Sequence, residues 1–216
     1  MEALKYIAVE GVIGAGKTSL AKKLAAKFKA NLVLEQYDIN PFLKSFYIDR
    51  GLFAFQTQMF FLVNRHKQQQ GLFQGNIFSD MLVSDYIFEK DKIFAYLNLT
   101  KDELSLYYAI FPVLAREIRK PDLVIYLQST PERVMYNIQK RGRDIEVNLK
   151  KEYIEELSEA YNTFFFNYNA SPLLIVDTSE IDFLENEKDF DDIYYQITRV
   201  DRAKTEYYIP EKKGLL

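Results

Sequence analysis

Residues Gly11 to Thr18 read Gly-Val-Ile-Gly-Ala-Gly-Lys-Thr and fit the pattern G-x-x-x-x-G-K-[ST] at every fixed position. That spacing serves one kind of chemistry, the holding of a polyphosphate. Glycines at positions 11, 14 and 16 let backbone N–H groups turn inward around phosphate oxygens. The start of a helix directly after them adds partial positive charge. Lys17 has the reach to touch the outer phosphates, and the Thr18 hydroxyl suits Mg²⁺. The expected nucleotide loop is therefore Gly11, Val12, Ile13, Gly14, Ala15, Gly16, Lys17, Thr18 and Ser19. With Gly at about 7 % of residues, a random match in a chain of 216 has odds of roughly 1 %.

Such a loop works only between a strand and a helix. Lys5 to Val9 is short, apolar and β-prone, and Lys17 to Lys29 places Leu20, Leu24 and Phe28 on one helical face. Further apolar strands are expected at Leu32–Leu34, Met81–Val83, Leu123–Leu127 and Leu173–Val176. Helical patterns lie between them. One runs from Pro41 and is interrupted by Gly51, and a long one runs from Leu52 to Gln70. Thr100-Lys101-Asp102-Glu103 is a capping box opening a helix to about Arg119, and Thr130-Pro131-Glu132 opens another. Leu149–Asn167 and Asp189–Arg199 complete the set. Fully apolar strands alternating with helices mean a parallel sheet covered on both faces. The expectation is an α/β, three-layer P-loop fold with a five-stranded parallel sheet flanked by helices, as a single domain over 1–216. Ligands of such sheets bind beyond the carboxyl ends of the strands. The loops to watch begin near Glu10, Glu35, Ser84, Gln128 and Asp177.

Composition narrows the chemistry further. Apolar residues make up 48 % and charged residues 27 %, which is globular, and the net charge is −3, which lacks the basic excess of a nucleic-acid or anionic-membrane binder. With no cysteine, disulfides, thiolate metal sites and thiol catalysis are excluded. The only histidine, His66, is given no role, and a multi-histidine metal site or a Ser-His-Asp hydrolase is not expected. No apolar run reaches ~18 residues, and Met1-Glu2-Ala3-Leu4-Lys5 does not read as a signal peptide, so the cytoplasm is the expected compartment. A GTPase normally carries N-K-x-D, and the nearest string, Asn186-Glu187-Lys188-Asp189, does not match. A large ATPase needs more chain. A small-molecule kinase is the class that remains.

Beyond the loop, several segments resemble the deoxynucleoside kinase family. Glu35 stands at the end of the second strand; Asn40-Pro41-Phe42-Leu43 with Tyr47 precedes Phe53-Ala54-Phe55-Gln56-Thr57-Gln58; Ser84-Asp85-Tyr86 precedes Asp91; and Lys140-Arg141-Gly142-Arg143-Asp144-Ile145-Glu146 is similar to a lid written R-G-R-x-x-E. The resemblance implies that Glu35 sits by a nucleoside 5′-hydroxyl and takes its proton, with Asp85 as the alternative base. It implies that Gln58, Arg65 and Asp91 read the base, and that Tyr47 and Glu146 hold the sugar 3′-hydroxyl. Gln56 competes with Gln58. The resemblance pairs the glutamine with an arginine on one helix face: Gln58 and Arg65 are seven apart and so lie about 20° apart, whereas Gln56 falls on the opposite face. Asp85 with Thr18 would hold Mg²⁺. Arg141 and Arg143 would clamp the transferring phosphoryl group, whose charge is spread over several oxygens. Asp182-Phe183 resembles the core of the adenine loop, with Asp189-Phe190 as rival. Tyr86 and Asn137 stand where the family carries arginines; an arginine in place of Tyr86 would steady the 5′-oxygen and the phosphate.

The resulting expectation is a Mg²⁺-dependent kinase moving the γ-phosphate of ATP to the 5′-hydroxyl of deoxyadenosine, deoxyguanosine or deoxycytidine. Lys17, Arg141 and Arg143 act on the phosphoryl group. The resemblance also implies a homodimer through long helices. The alternatives are a monophosphate kinase of the thymidylate kinase type and a catalytically silent nucleotide-binding protein.

Overall fold

The computed structural model describes residues 4–71 and 81–210. Met1, Glu2 and Ala3, on which the signal-peptide expectation partly rests, lie outside the described residues. The strands are β1 (Tyr6–Gly11), β2 (Asn31–Val33), β3 (Leu82–Ser84), β4 (Leu123–Gln128), β5 (Leu173–Asp177) and β6 (Thr205–Tyr208). They form one sheet in the order β2-β3-β1-β4-β5-β6, and every neighbouring pair is parallel. The sheet thus has six strands where five were expected. β6 escaped the sequence pattern because it is an edge strand, Thr-Glu-Tyr-Tyr, with exposed and half-buried residues alternating. It lacks the apolar run that marks a strand buried on both faces.

The helices are α1 (Lys17–Phe28), α2 (Leu43–Ile48), α3 (Arg50–Gly71), α4 (Asp91–Asn98), α5 (Lys101–Ala115), α6 (Pro131–Arg141), α7 (Lys151–Phe166) and α8 (Glu187–Thr198). Alternate residues of β1 explain the layers. Ile7 and Val9 face Leu20 and Leu24 of α1 and Phe190, Ile193 and Ile197 of α8. Tyr6 and Ala8 share the opposite core with Phe46, Ile93, Val134, Ile138, Ile154, Leu157, Tyr161 and Phe165. A satellite core of Leu62, Phe88, Ala95, Tyr107 and Phe111 ties α3 to α4 and α5.

The helix break falls at Asp49, not Gly51. Asp49 has extended backbone, and its carboxylate accepts the N–H of Leu52 at 3.1 Å, so Gly51 lies inside the first turn of α3. The Thr100 capping box is present, with Glu103 reaching back to the Thr100 N–H at 2.9 Å. That helix ends at Ala115 instead of about Arg119, shortly after the internal Pro112. α6 ends on Gly142 in the left-handed region. Among the described residues, no helix is long and apolar enough to cross a membrane.

Candidate active site

The phosphate loop fills the turn from β1 into α1. Gly14 and Gly16 have φ of 87° and 95°, a region that side chains rarely adopt. Space forbids a side chain there as well: a Cβ on Gly14 would lie 2.9 Å from the Val134 carbonyl, and one on Gly16 2.7 Å from the Phe183 ring. Lys17 folds over its own loop, donating to the carbonyls of Gly11 at 2.8 Å and Val12 at 3.1 Å. Burial, followed by repulsion from Lys90, brings its ammonium down to about 8.

At the ends of β2 and β3 the acids meet the loop. One Asp85 oxygen accepts the Thr18 hydroxyl at 2.6 Å, and the other accepts the Glu35 backbone N–H at 2.7 Å. Asp85 therefore fixes both the hydroxyl at the head of α1 and the chain that carries Glu35. The two oxygens of the Glu35 side chain have different partners. Oε1 faces Nε and Nη2 of Arg65 at 2.8 and 2.6 Å, and Oε2 accepts from the Lys90 ammonium at 2.8 Å. Burial pushes the Glu35 carboxyl up, but Lys90 and Arg65 outweigh it and hold the group well below the usual carboxylate range.

Arg65 also pairs with Asp91, and the Gln58 amide donates to the Asp91 carboxylate and to its carbonyl, the latter at 2.9 Å. Gln58, Arg65 and Asp91 are all buried, whereas Gln56 is exposed. Glu10, at the end of β1, is fully buried. It accepts the N–H groups of Ile87 at 2.8 Å and Gly11 at 3.1 Å, and desolvation raises its proton affinity despite Lys90 4.0 Å away. Tyr86 is buried, and its hydroxyl bonds to Gln68 at 2.8 Å, so the position after Asp85 adds no charge.

The lid follows α6. Arg141 donates to both oxygens of Glu146 at 2.6 Å, and Arg143 lies 3.5 Å from the same carboxylate and over the Tyr37 ring. Glu146 sits on a short 3₁₀ turn, Asp144–Glu146, and is buried. The Tyr47 hydroxyl is pushed well above its ordinary value, first by burial and then by Tyr153 and Glu146. Glu35, Tyr47, Gln58, Arg65, Asp85, Arg141, Arg143 and Glu146 share one cleft with Lys17 and Thr18. Asp91 forms the layer behind Gln58 and Arg65.

A second cleft opens on the other side of the loop. Gly14, Ala15, Gly16 and Ser19 line it together with Asn137, Asp182 and Phe183. The Asp182 carboxylate accepts the N–H groups of Leu184 and Glu185 at 3.2 Å, which shapes this turn. The rival pair is elsewhere: Phe190 is buried on the core face of α8, and Asp189 accepts the Asp182 N–H at 2.9 Å. Asn137 donates to the Gly14 carbonyl at 2.9 Å and so braces the phosphate loop.

Two residues of the cluster carry no motif: Lys90, which the sequence reading passed over, and Glu10, which it named only as the start of a loop. Lys90 lies in Phe-Glu-Lys-Asp-Lys, which reads as a solvated charge run. Only the 3₁₀ turn Phe88–Lys90 carries it inside.

A family model described as deoxynucleoside kinase matches residues 7–200. Deoxyguanosine kinase of Bacillus subtilis strain 168 is 34 % identical over 198 residues, covering 89 % of this chain and 96 % of that protein. The deoxyadenosine/deoxycytidine kinase of the same organism is 31 % identical, covering 90 % and 92 %. Among solved structures, deoxyadenosine kinase from M. mycoides with bound dATP matches with a TM-score of 0.79 at 25 % identity, covering 90 % of this chain and all of that one.

Proposed function

The chain belongs to the deoxynucleoside kinase family, and from that premise we propose that it transfers the γ-phosphoryl group of ATP to the 5′-hydroxyl of a deoxynucleoside. The new bond joins the 5′-oxygen to the γ-phosphorus. The bond from that phosphorus to the bridging oxygen breaks, and its electron pair leaves with ADP. The hydroxyl proton goes to Glu35. The observation that carries this reading is the Glu35 carboxylate, held ionised by Arg65 and Lys90 in the same cleft as the phosphate loop. A neutral alcohol needs such an acceptor, and an already ionised monophosphate does not.

On this reading Lys17 carries charge at the outer phosphates, and Arg141 and Arg143 close on the transferring group. Asp182 and Phe183 border the cleft for the ATP base. Tyr47 and Glu146 meet the sugar. Gln58 and Arg65 face the base, with Asp91 behind them, a donor and acceptor set suited to a base bearing an amino group. Similarity to kinases named for deoxyguanosine and for deoxyadenosine/deoxycytidine supports the same range of bases.

The hydroxyl and carboxylate of Thr18 and Asp85, 2.6 Å apart, are the hard oxygen donors that Mg²⁺ takes. Among the described residues no cluster of three or more His, Cys, Asp or Glu side chains forms a metal cage, which suits an ion that also binds substrate phosphates. Thr18 directly, and Asp85 directly or through water, would hold it. Bound there, Mg²⁺ neutralises charge building on the phosphate oxygens.

The deciding experiment incubates the protein with ATP, Mg²⁺ and each deoxynucleoside or its 5′-monophosphate, with products separated by chromatography. Monophosphate from deoxyguanosine, deoxyadenosine or deoxycytidine is the expected product. Diphosphate formed preferentially from a monophosphate would overturn the proposal.

A further inference from the structure

Lys90 presents an unusual account of donors. Its side chain is almost wholly enclosed, yet its ammonium has one hydrogen-bond acceptor among the described residues, Oε2 of Glu35 at 2.8 Å. Glu10 at 4.0 Å is too far to be a second, and the Phe94 ring centroid is 6.0 Å away. An ammonium has three N–H donors, and a buried one that leaves donors unmet is costly. Lys90 nonetheless lines the cleft with Lys17, Thr18, Glu35 and Asp85.

Glu35 decides what those donors can reach. A carboxylate offers about four lone-pair sites, two on each oxygen. Arg65 takes Oε1 with two nitrogens, and Lys90 takes one site on Oε2. The free site is therefore on Oε2, the oxygen that Lys90 already touches. A hydroxyl that gives its proton to Glu35 has to approach there. Its oxygen then comes within reach of the spare Lys90 donors, and so do the oxygens of the group being transferred. Tyr86, directly after Asp85, offers no charge in competition because its hydroxyl is turned to Gln68.

We propose that Lys90 is a catalytic residue that contacts the 5′-oxygen and the incoming phosphoryl group from the acceptor side, opposite Lys17. This rests on the deoxynucleoside kinase reading above. A contact of this kind grows as negative charge accumulates on the transferring group. It acts little on a neutral hydroxyl and strongly on a 5′-phosphate.

The test uses Lys90→Met, which keeps the length without the charge, and Lys90→Gln, which keeps a donor to Glu35 without the charge. Calorimetry compares the affinity for deoxyadenosine or deoxyguanosine, whichever turns over faster, with that for its own 5′-monophosphate. Steady-state kinetics runs beside it. Expected is a fall in kcat of about 10²–10³-fold. Affinity for the monophosphate should drop by at least about tenfold, with nucleoside KM within about threefold of wild type. Lys90→Arg should recover a good part of kcat, because it restores the charge. Equal loss of nucleoside and monophosphate affinity would mean that Lys90 only supports Glu35, and would overturn the proposal. So would unchanged kcat. If Lys90→Met does not fold, the same split is read in Lys90→Gln. Failure of the wild type to phosphorylate any deoxynucleoside would instead overturn the underlying reading.

Discussion

Replacing Glu35 by glutamine tests the proposed base and the ion network in one variant. The change removes the negative partner of two buried cations, since the side chains of Arg65 and Lys90 are 4 % and 3 % exposed. Breaking a buried pair at one end costs about 3–5 kcal/mol. Arg65 keeps Asp91, and the new amide oxygen still accepts one hydrogen bond, so about 2–3 kcal/mol is the reasoned loss. For a chain of 216 residues that lowers Tm by roughly 4–12 °C. The catalytic loss is larger, about 10²–10⁴-fold in kcat, because the amide cannot take a proton. Glu35 is held low and is a weak base, so the proton moves late, when the 5′-oxygen is already bonding to phosphorus in a loose transition state. Calorimetric unfolding gives the first quantity. Initial rates with saturating Mg²⁺·ATP and deoxynucleoside, taken well below the variant's Tm, give the second. ATP affinity should stay near wild type. A kcat within about threefold of wild type would move the proton to Asp85 and refute the base assignment. An unchanged Tm would refute the reckoning of the ion pairs.

Other perturbations address other parts of the site. Lys17→Ala should lower turnover by on the order of 10³-fold while the fold survives, and near-normal rates in a folded variant would sink the kinase reading. Gln58→Ala should raise the deoxynucleoside KM by about 1–3 kcal/mol, read as roughly 5- to 150-fold, because a buried partner of Asp91 is lost, while exposed Gln56→Ala should leave it nearly unchanged. The reverse order of effects would show that α3 presents the other glutamine to the base. Gly16→Ala places a Cβ 2.7 Å from the Phe183 ring at a φ of 95°. It should weaken ATP binding by calorimetry without weakening deoxynucleoside binding, and equal loss of both would point to a general defect in folding.

The parts of the site legible in the sequence were those where chemistry and spacing coincide. The phosphate loop needs glycines at fixed places, and the turn from β1 to α1 has them. Helical geometry separated Gln58 from Gln56 once the family resemblance asked for a glutamine and an arginine on one face, since seven residues bring Gln58 and Arg65 together. Strand cores announced themselves as apolar runs. What stayed hidden depends on tertiary packing. Thr205–Tyr208 is a strand because β5 has an open edge beside it, not because its residues are apolar. α4 was missed because it begins directly after a 3₁₀ turn and its first residues are charged. Lys90 looks like surface until that turn places it beside Glu35. Asn137 reads as a lost arginine, and only the structure finds it bonded to the Gly14 carbonyl.

The pairing of charges in the cleft also bears on how the two substrates are coordinated. Arg141 is two-thirds buried in its bond to Glu146, and the Glu146 side chain is only 5 % exposed. A buried carboxylate that loses its cation is strongly destabilised unless another donor replaces it. Under the proposed roles, Arg141 turns toward the phosphoryl group, and the sugar 3′-hydroxyl is the donor that takes its place on Glu146. Each substrate then lowers the cost of binding the other, because the phosphate engages Arg141 while the sugar satisfies Glu146. By linkage the coupling is reciprocal: ATP should tighten deoxynucleoside binding by the factor by which the deoxynucleoside tightens ATP binding. A sugar without a 3′-hydroxyl leaves Glu146 needing Arg141, and the same pair that organises the lid then holds it back from the phosphate.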